Sequence, residues 1–465
     1  MESYRLIVLG RGGTEVLLVH NAESFMLPSV EVPRWQRVAE NLNAAIKTEW
    51  GADIVCLFEG ATNSTDSPTI TRYYAAEQRS NRWNLRKPAC YVSLSALGRD
   101  LFTDERDYNL IKQVVASCIG EIERTSAGPF ARLGWFRDVS DWIDSVIEPM
   151  GFHLTGEFRQ LNASPTFSLV RFETDGPALW FKAVGEPHKN EFGITSTLAR
   201  LFPQRVATVL ATRSEWNAWI TREAEGELLC DSRGYTPWHK VALDLAELQI
   251  DSCGQAQGIL AAGARRLTLG SMSTQIQPLV DAAQQLMDLQ IKTPPPILGR
   301  KQLLSLADRI HAAIDALQPL GIPEALGHLD FNPGNVIVSA TGCTFLDWAE
   351  AYVGNPFLTF QYLLEHFRRT GGNDSSRQSE LTESYVAPWL RILSREVIYS
   401  ALAVAPLLAV FFYATATQML MDKPRLEDAQ FAGYARSLVR RMYREARAWA
   451  DRGERCTAQI TVSHP

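Results

Sequence analysis

Paired cysteines are missing from this 465-residue chain. Its seven cysteines (Cys56, Cys90, Cys118, Cys230, Cys253, Cys343 and Cys456) are scattered and never spaced Cys-x-x-Cys. That argues against a disulfide framework or a thiolate zinc site and suits a reducing, cytoplasmic setting. Runs of Lys and Arg are also missing, and the formal charge is −6. Nucleic acid and anionic membrane both require a local basic excess, so neither is an expected partner. The opening MESYRLIVLG lacks the basic start and apolar core of a signal peptide. One uncharged run, Val397–Met421, is long enough to cross a bilayer. Pro406 near its middle, the interspersed Tyr399, Ser400, Thr415, Thr417 and Gln418, and the lack of a polybasic flank favour a buried helix of a helical lobe.

What is present is the composition of a globular protein: 46% hydrophobic, 21% charged and 12 Trp. The length predicts about two or three domains. Residues 1–125 alternate between strand and helix patterns. Tyr4–Gly10 and Glu15–His20 read as a hairpin around Arg11-Gly12-Gly13-Thr14, and Trp35–Trp50 has helical spacing capped by Gly51. Strand patterns near Ile54–Phe58 and Ile70–Ala75 and a helix near Asp107–Ile122 complete the block. A linker at Ser126–Pro129 and an amphipathic helix, Trp135–Met150, make up 126–150. Short strands at His153–Leu161, Phe167–Thr174, Leu179–Val184 and Trp216–Thr221, with a helix at Asn190–Leu201, fill a block at 151–226. From Pro237 onward the pattern is helical, apart from an island around His328–Trp348, so 227–465 reads as one lobe.

That island carries the chemistry. It reads His328-Leu329-Asp330-Phe331-Asn332-Pro333-Gly334-Asn335, then Phe345-Leu346-Asp347-Trp348. His-x-Asp, four residues, Asn, a short hairpin and a second Asp is the order of a kinase catalytic loop with its metal-binding Asp. Phosphoryl transfer needs a carboxylate to orient the acceptor hydroxyl and receive its proton, which suits Asp330. It also needs hard oxygen ligands for Mg2+, which Asn335 and Asp347 provide. His328 is read as structural, its ring holding backbone near Asp347, and Pro333-Gly334 as the turn that faces Asn335 back toward Asp330.

On these residues, HLDFNPGNVIV…FLDWAEAYVGNP, the chain resembles the aminoglycoside phosphotransferase and choline kinase branch of the protein-kinase-like fold, over about residues 130–465. The resemblance implies an α+β, two-lobed fold with a small β-sheet lobe and a large helical lobe. It implies transfer of the ATP γ-phosphate to a hydroxyl of a small-molecule acceptor, with Mg2+. A separate α/β domain precedes it.

Lys182 is a lone cation on the apolar strand Leu179–Val184. It has two readings: snorkelling from a sheet edge, or gripping the α- and β-phosphates with Glu191 as its ion-pair partner. The nucleotide-covering turn, Leu161–Thr166, contains no glycine, so its amides approach phosphates less closely. The Ser164 and Thr166 hydroxyls are candidate substitutes. The family tends to carry an Asp shortly after Gly-x-Pro, where this chain runs Gly354-Asn355-Pro356-Phe357-Leu358-Thr359, which puts loop order in question there. Adenine is expected at the main chain of Arg222–Gly226, and Glu350 is either supporting or solvated.

Residues 1–125 resemble a Nudix hydrolase whose metal helix is degenerate. Ala44, Ala45 and Thr48 stand where an Arg and two glutamates belong, and Glu49 alone remains. One carboxylate cannot hold a metal cluster, so a binding or packing role is expected. Against the enzyme stands a pseudokinase that binds nucleotide or metabolite without turnover. Few acids lie between Tyr352 and Met421 (Glu365, Asp374, Glu380, Glu383 and Glu396), which speaks against a polycationic aminoglycoside acceptor.

Overall fold

The computed structural model describes residues 2–10, 12–21, 24–33, 36–60, 71–79, 88–119, 129–371 and 374–462. Arg11, Trp35, Ile70, residues 120–122, and Ser126, Ala127 and Gly128 of the expected linker lie outside these. The chain divides into two compact units, one of residues 1–192 and 208–223, the other of 193–207 and 224–465.

In the first unit β1 (Glu2–Leu9), β2 (Glu15–Asn21), β3 (Ser24–Met26) and β4 (Ser29–Val32) precede helix α1 (Val38–Trp50). They are followed by β5 (Ile54–Glu59), β6 (Thr71–Gln78), β7 (Ala89–Ser93) and α2 (Glu105–Ile119). These strands form a seven-stranded sheet whose main path is β3-β2-β1-β6-β5, with only the β1–β6 pair parallel. Alternation along β1 explains the layering. Leu6 and Val8 pack with Leu42 and Ile46 of α1, whereas Ile7 and Leu9 join Ile111 and Val114 of α2. Helix α1 stops where Gly51 takes a left-handed φ of 72°, a conformation that favours glycine.

Helix α3 (Trp135–Ile147) leads into β8 (Leu154–Ala163), β9 (Ser168–Thr174), β10 (Leu179–Ala183), α4 (Glu191–Leu201, counted with the second unit from Gly193 onward), β11 (Val209–Arg213) and β12 (Ala218–Arg222). The five strands pair antiparallel in the order β11-β12-β10-β9-β8. β11 was not legible in the sequence, and Trp216 lies in a 3-10 turn ahead of β12. The rear face of this sheet and the α2 face of the first sheet share one core, with α3 between them: Val170, Phe172 and Phe181 belong to the same cluster as Ile7, Leu9 and Trp135. The two blocks thus bury their apolar faces against each other.

The second unit runs through β13 (Glu227–Leu228), α5 (Thr236–Ser252), α6 (Ala256–Ala261), β14 (Arg265–Leu267), α7 (Leu269–Ser273), α8 (Ile276–Asp288) and α9 (Arg300–Leu317). It continues with β15 (Ala325–His328), β16 (Val336–Val338), β17 (Cys343–Phe345), β18 (Ala351–Gly354), α10 (Phe357–Arg369), α11 (Ser375–Trp389), α12 (Arg395–Ala416), α13 (Lys423–Leu426) and α14 (Ala429–Val462). Its helices enclose one continuous apolar core. The uncharged run forms α12, which is apolar and long enough to cross a membrane, but 61% of its most apolar window is buried within the protein. Two three-stranded sheets, β13-β16-β17 and β14-β18-β15, interrupt the helices and frame the expected catalytic loop.

Candidate active site

The loop between β15 and β16 brings together the residues singled out in the sequence. His328 is buried and bridges two stretches of backbone. Its Nδ1 accepts from the Asp330 N–H at 3.2 Å and its Nε2 donates to the Leu346 carbonyl at 3.1 Å. This pairing needs the neutral ring, and burial lowers the His328 pKa from its ordinary value, favouring that form. Gly327 precedes it because nothing larger fits: a Cβ would lie 2.0 Å from the Tyr352 ring.

Asp330 is exposed, and its carboxylate is held from two sides. Asn335 Nδ2 donates to the Asp330 carbonyl at 3.0 Å and reaches Oδ2 at 3.4 Å. Asn332 Nδ2 donates to Oδ1 at 3.1 Å, while Asn332 Oδ1 accepts from the Gly334 N–H at 2.9 Å. Pro333-Gly334-Asn335 forms a single 3-10 turn, which folds Asn335 back.

Asp347 stands just beyond β17. Leu346 N–H donates to the Asn335 carbonyl at 2.8 Å, and Val336 pairs with Phe345. The metal-ligand candidates Asn335 and Asp347 therefore flank the same short ladder. Asp347 has φ 60° and ψ 63°. A non-glycine residue in this region costs on the order of 1 kcal/mol, a strain often found at functional sites. Strand β17 is held by buried Asp244, which accepts from the Cys343 N–H at 2.8 Å and pairs with Arg205 at 2.6 Å.

These donors fit magnesium. Because Asn335 spends Nδ2 on Asp330, its Oδ1 is the amide atom left for a cation, and Asp347 adds an exposed carboxylate. Mg2+ commonly takes one or two carboxylates and completes its shell with phosphate and water. Among the described residues no group of three or more His, Cys, Asp or Glu could hold a metal ion without such partners.

In the first unit Lys182 Nζ lies 2.5 Å from Glu191 Oε1, with side-chain exposures of 14% and 2%. The strand lysine and the helix-opening glutamate are thus a largely buried pair. Trp219, opposite Lys182 in the ladder, has its ring centroid 5.8 Å from Nζ. Ser164 is turned to its own hairpin: its Oγ accepts from the Phe167 N–H at 2.9 Å.

Two supports were not found by sequence reasoning. Thr359 occupies the stretch where an Asp was expected, and its Oγ1 accepts from the His328 N–H at 3.0 Å and bonds Tyr352 Oη at 3.1 Å. The loop order put in question by the missing Asp is thereby supplied by a hydroxyl. The only signal was one hydroxyl residue in the apolar start of α10. Asn332 orients Asp330, which the Asn-Pro-Gly turn pattern could have suggested. Glu350, weighed as supporting or solvated, is half-buried in the 3-10 turn before β18 and lies 3.0 Å from Arg265 of the adjoining β14.

Residues 232–389 match the family model described as "Phosphotransferase enzyme family". No curated protein matches the chain significantly. Among solved structures, it is similar to macrolide 2'-phosphotransferase MphH from Brachybacterium faecium at 15% identity, covering 65% of this chain and 98% of that one, TM-score 0.42. Choline kinase LicA from Streptococcus pneumoniae is 14% identical, with 68% and 99% covered and a TM-score of 0.44. An ethanolamine kinase of Plasmodium vivax is 13% identical, with 76% and 91% covered and a TM-score of 0.45. With scores this low the assignment rests on the matched segment and the loop within it. Over residues 232–389, which include the His328–Asp347 loop, the chain matches the phosphotransferase enzyme family.

Proposed function

We propose that this protein transfers the γ-phosphate of ATP to a hydroxyl group of a small molecule. Asp330 orients the acceptor hydroxyl and receives its proton as the acceptor oxygen bonds to the γ-phosphorus and the bond to the β–γ bridging oxygen breaks, leaving ADP. Asn335 and Asp347 would hold magnesium, which when bound neutralises phosphate charge. Lys182, steadied by Glu191, is the candidate for gripping the α- and β-phosphates. Neutral His328 keeps the loop and the Leu346 backbone in register.

The observation that most supports this reading is the double hold on Asp330. Asn332 and Asn335 reach its two carboxylate oxygens at 3.1 and 3.4 Å, which suits positioning catalysis. A nucleotide-binding module without turnover is the alternative, favoured by the glycine-free turn and the engagement of Ser164 with Phe167.

Turnover of Mg-ATP by wild type and Asp330→Ala, screened against a library of hydroxyl-bearing metabolites, tests it. Losing the base is expected to slow transfer about 100- to 10,000-fold with nucleotide binding retained. Phosphorylation that survives Asp330→Ala unchanged, or a wild type that binds Mg-ATP and phosphorylates no acceptor, refutes the enzyme.

A further inference from the structure

The two faces of the five-stranded sheet are used differently. Val170, Phe172, Phe181 and Ile220 point into the core shared with β1, α2 and α3. Lys182 alternates with Phe181 along β10, so it points to the opposite face. Behind the strand that carries the lysine, Phe181 meets Phe130 and Trp142, and the N-terminal α/β segment joins the same core.

Specific bonds from this segment converge on the β8–β9 hairpin. β8 shifts register between Gln160 and Asn162, a bulge of the kind that re-aims a side chain. Gln160 is 1% exposed. Its Oε1 accepts from the Cys56 N–H at 2.8 Å and its Nε2 donates to the Cys56 carbonyl at 2.9 Å. The amide thus pairs with β5 as a neighbouring strand would. Two further bonds lie at the turn: Tyr74 Oη donates to the Ala163 carbonyl at 2.8 Å, and the Phe130 N–H donates to the Pro165 carbonyl at 3.2 Å. On the other side Thr166 packs against Gly185, where an added Cβ would meet the Thr166 Cβ at 2.4 Å.

We propose that the N-terminal α/β segment is a positioning device for the nucleotide, acting through Gln160, Tyr74 and the Phe130 main chain to fix the glycine-free 163–167 turn where it closes over the phosphates. This inference rests on the phosphotransferase reading above. A glycine-rich loop approaches phosphates through its freedom in φ. A Ser-Pro-Thr turn lacks that freedom, so it serves only if it is held in a productive place beforehand. Tethering it in advance also removes an ordering cost from nucleotide binding. Gln160 and Tyr74 are positioning residues: they act on the turn and touch no reacting atom.

The test uses the full chain and a fluorescent mant-ATP analogue with magnesium, titrated to equilibrium beside a melting curve. Tyr74→Phe deletes one hydroxyl and is expected to weaken binding about fivefold, the equivalent of one hydrogen bond near 1 kcal/mol. Gln160→Leu is expected to weaken it further. Tyr362→Phe deletes an equivalent bond in the helical unit, Tyr362 Oη to the Ala409 carbonyl at 2.8 Å, and should leave affinity unchanged. Wild-type affinity in Tyr74→Phe, alongside lost affinity in Lys182→Ala, overturns the positioning role and leaves the phosphotransferase reading standing. A wild type that binds no nucleotide, or a Lys182→Ala variant that binds as well, overturns both. Should Gln160→Leu fail to fold, Tyr74→Phe decides alone.

Discussion

Replacing Lys182 with Met separates what its charge does for the fold from what it does for the nucleotide. Glu191 is 2% exposed and its carboxylate lies 2.5 Å from the lysine nitrogen. Removing one partner of a buried pair costs about 3–5 kcal/mol, whereas replacing both with apolar groups is often near neutral. At roughly 2–4 °C per kcal/mol for a unit of this size, Lys182→Met should lower the melting point of the first unit by about 10 °C. The double variant Lys182→Met/Glu191→Leu should recover most of that loss. Affinity for Mg-nucleotide should behave differently, falling in the single variant and staying low in the double. Calorimetry and equilibrium nucleotide titration on the same preparations provide both readings. Recovery of nucleotide affinity in the double variant, or unimpaired affinity in Lys182→Met, would refute a phosphate-binding role. A double variant as unstable as the single one would refute the buried-pair account.

Thr359→Val keeps the shape of the side chain and removes the acceptor for the His328 N–H. A buried donor left unsatisfied costs about 1–3 kcal/mol, so denaturant titration should show a loss of that size, accompanied by slower turnover. Glu223→Gln tests an anchor at the end of β12, where Glu223 takes two bonds from Arg171 at 2.6 and 2.8 Å and one from Trp180 at 3.2 Å. The Arg171 guanidinium holds the Glu223 carboxyl below its ordinary value of 4.5. The stabilisation it provides is therefore present above about pH 4.5 and lost as pH falls through the depressed value. Its side chain is 36% exposed, so solvent screening limits the neutral-pH effect to about 1 kcal/mol. Melting curves of the two proteins should converge as the buffer is acidified, and a constant gap would show that the charge is not responsible.

Much of the fold was legible where pattern and punctuation agree. The strands at 168–174 and 179–183 fall within a residue of the expected limits, and the helix expected at 135–150 runs to 147 and closes in a 3-10 turn over 148–150. β11 escaped because Val209–Arg213 is a short, half-buried edge strand with little alternation. The shared core of the first unit escaped for another reason. Strand periodicity shows that Val170 and Phe172 face inward, but it does not name the surface they meet.

The candidate site divides along the same line. The backbone course from His328 to Asn335 follows from local chemistry, since an Asn-Pro-Gly turn confined to a few residues leaves little freedom. Spacing and residue type therefore determined that Asp330, Asn335 and Asp347 lie on one short hairpin. Only the tertiary structure decided what holds that hairpin and the nucleotide turn. Thr359 reaches His328 from 31 residues away, and Gln160 reaches Cys56 across 104. Such bonds depend on which surfaces pack together, and a hydroxyl or an amide in the chain carries no local mark of the partner it will meet.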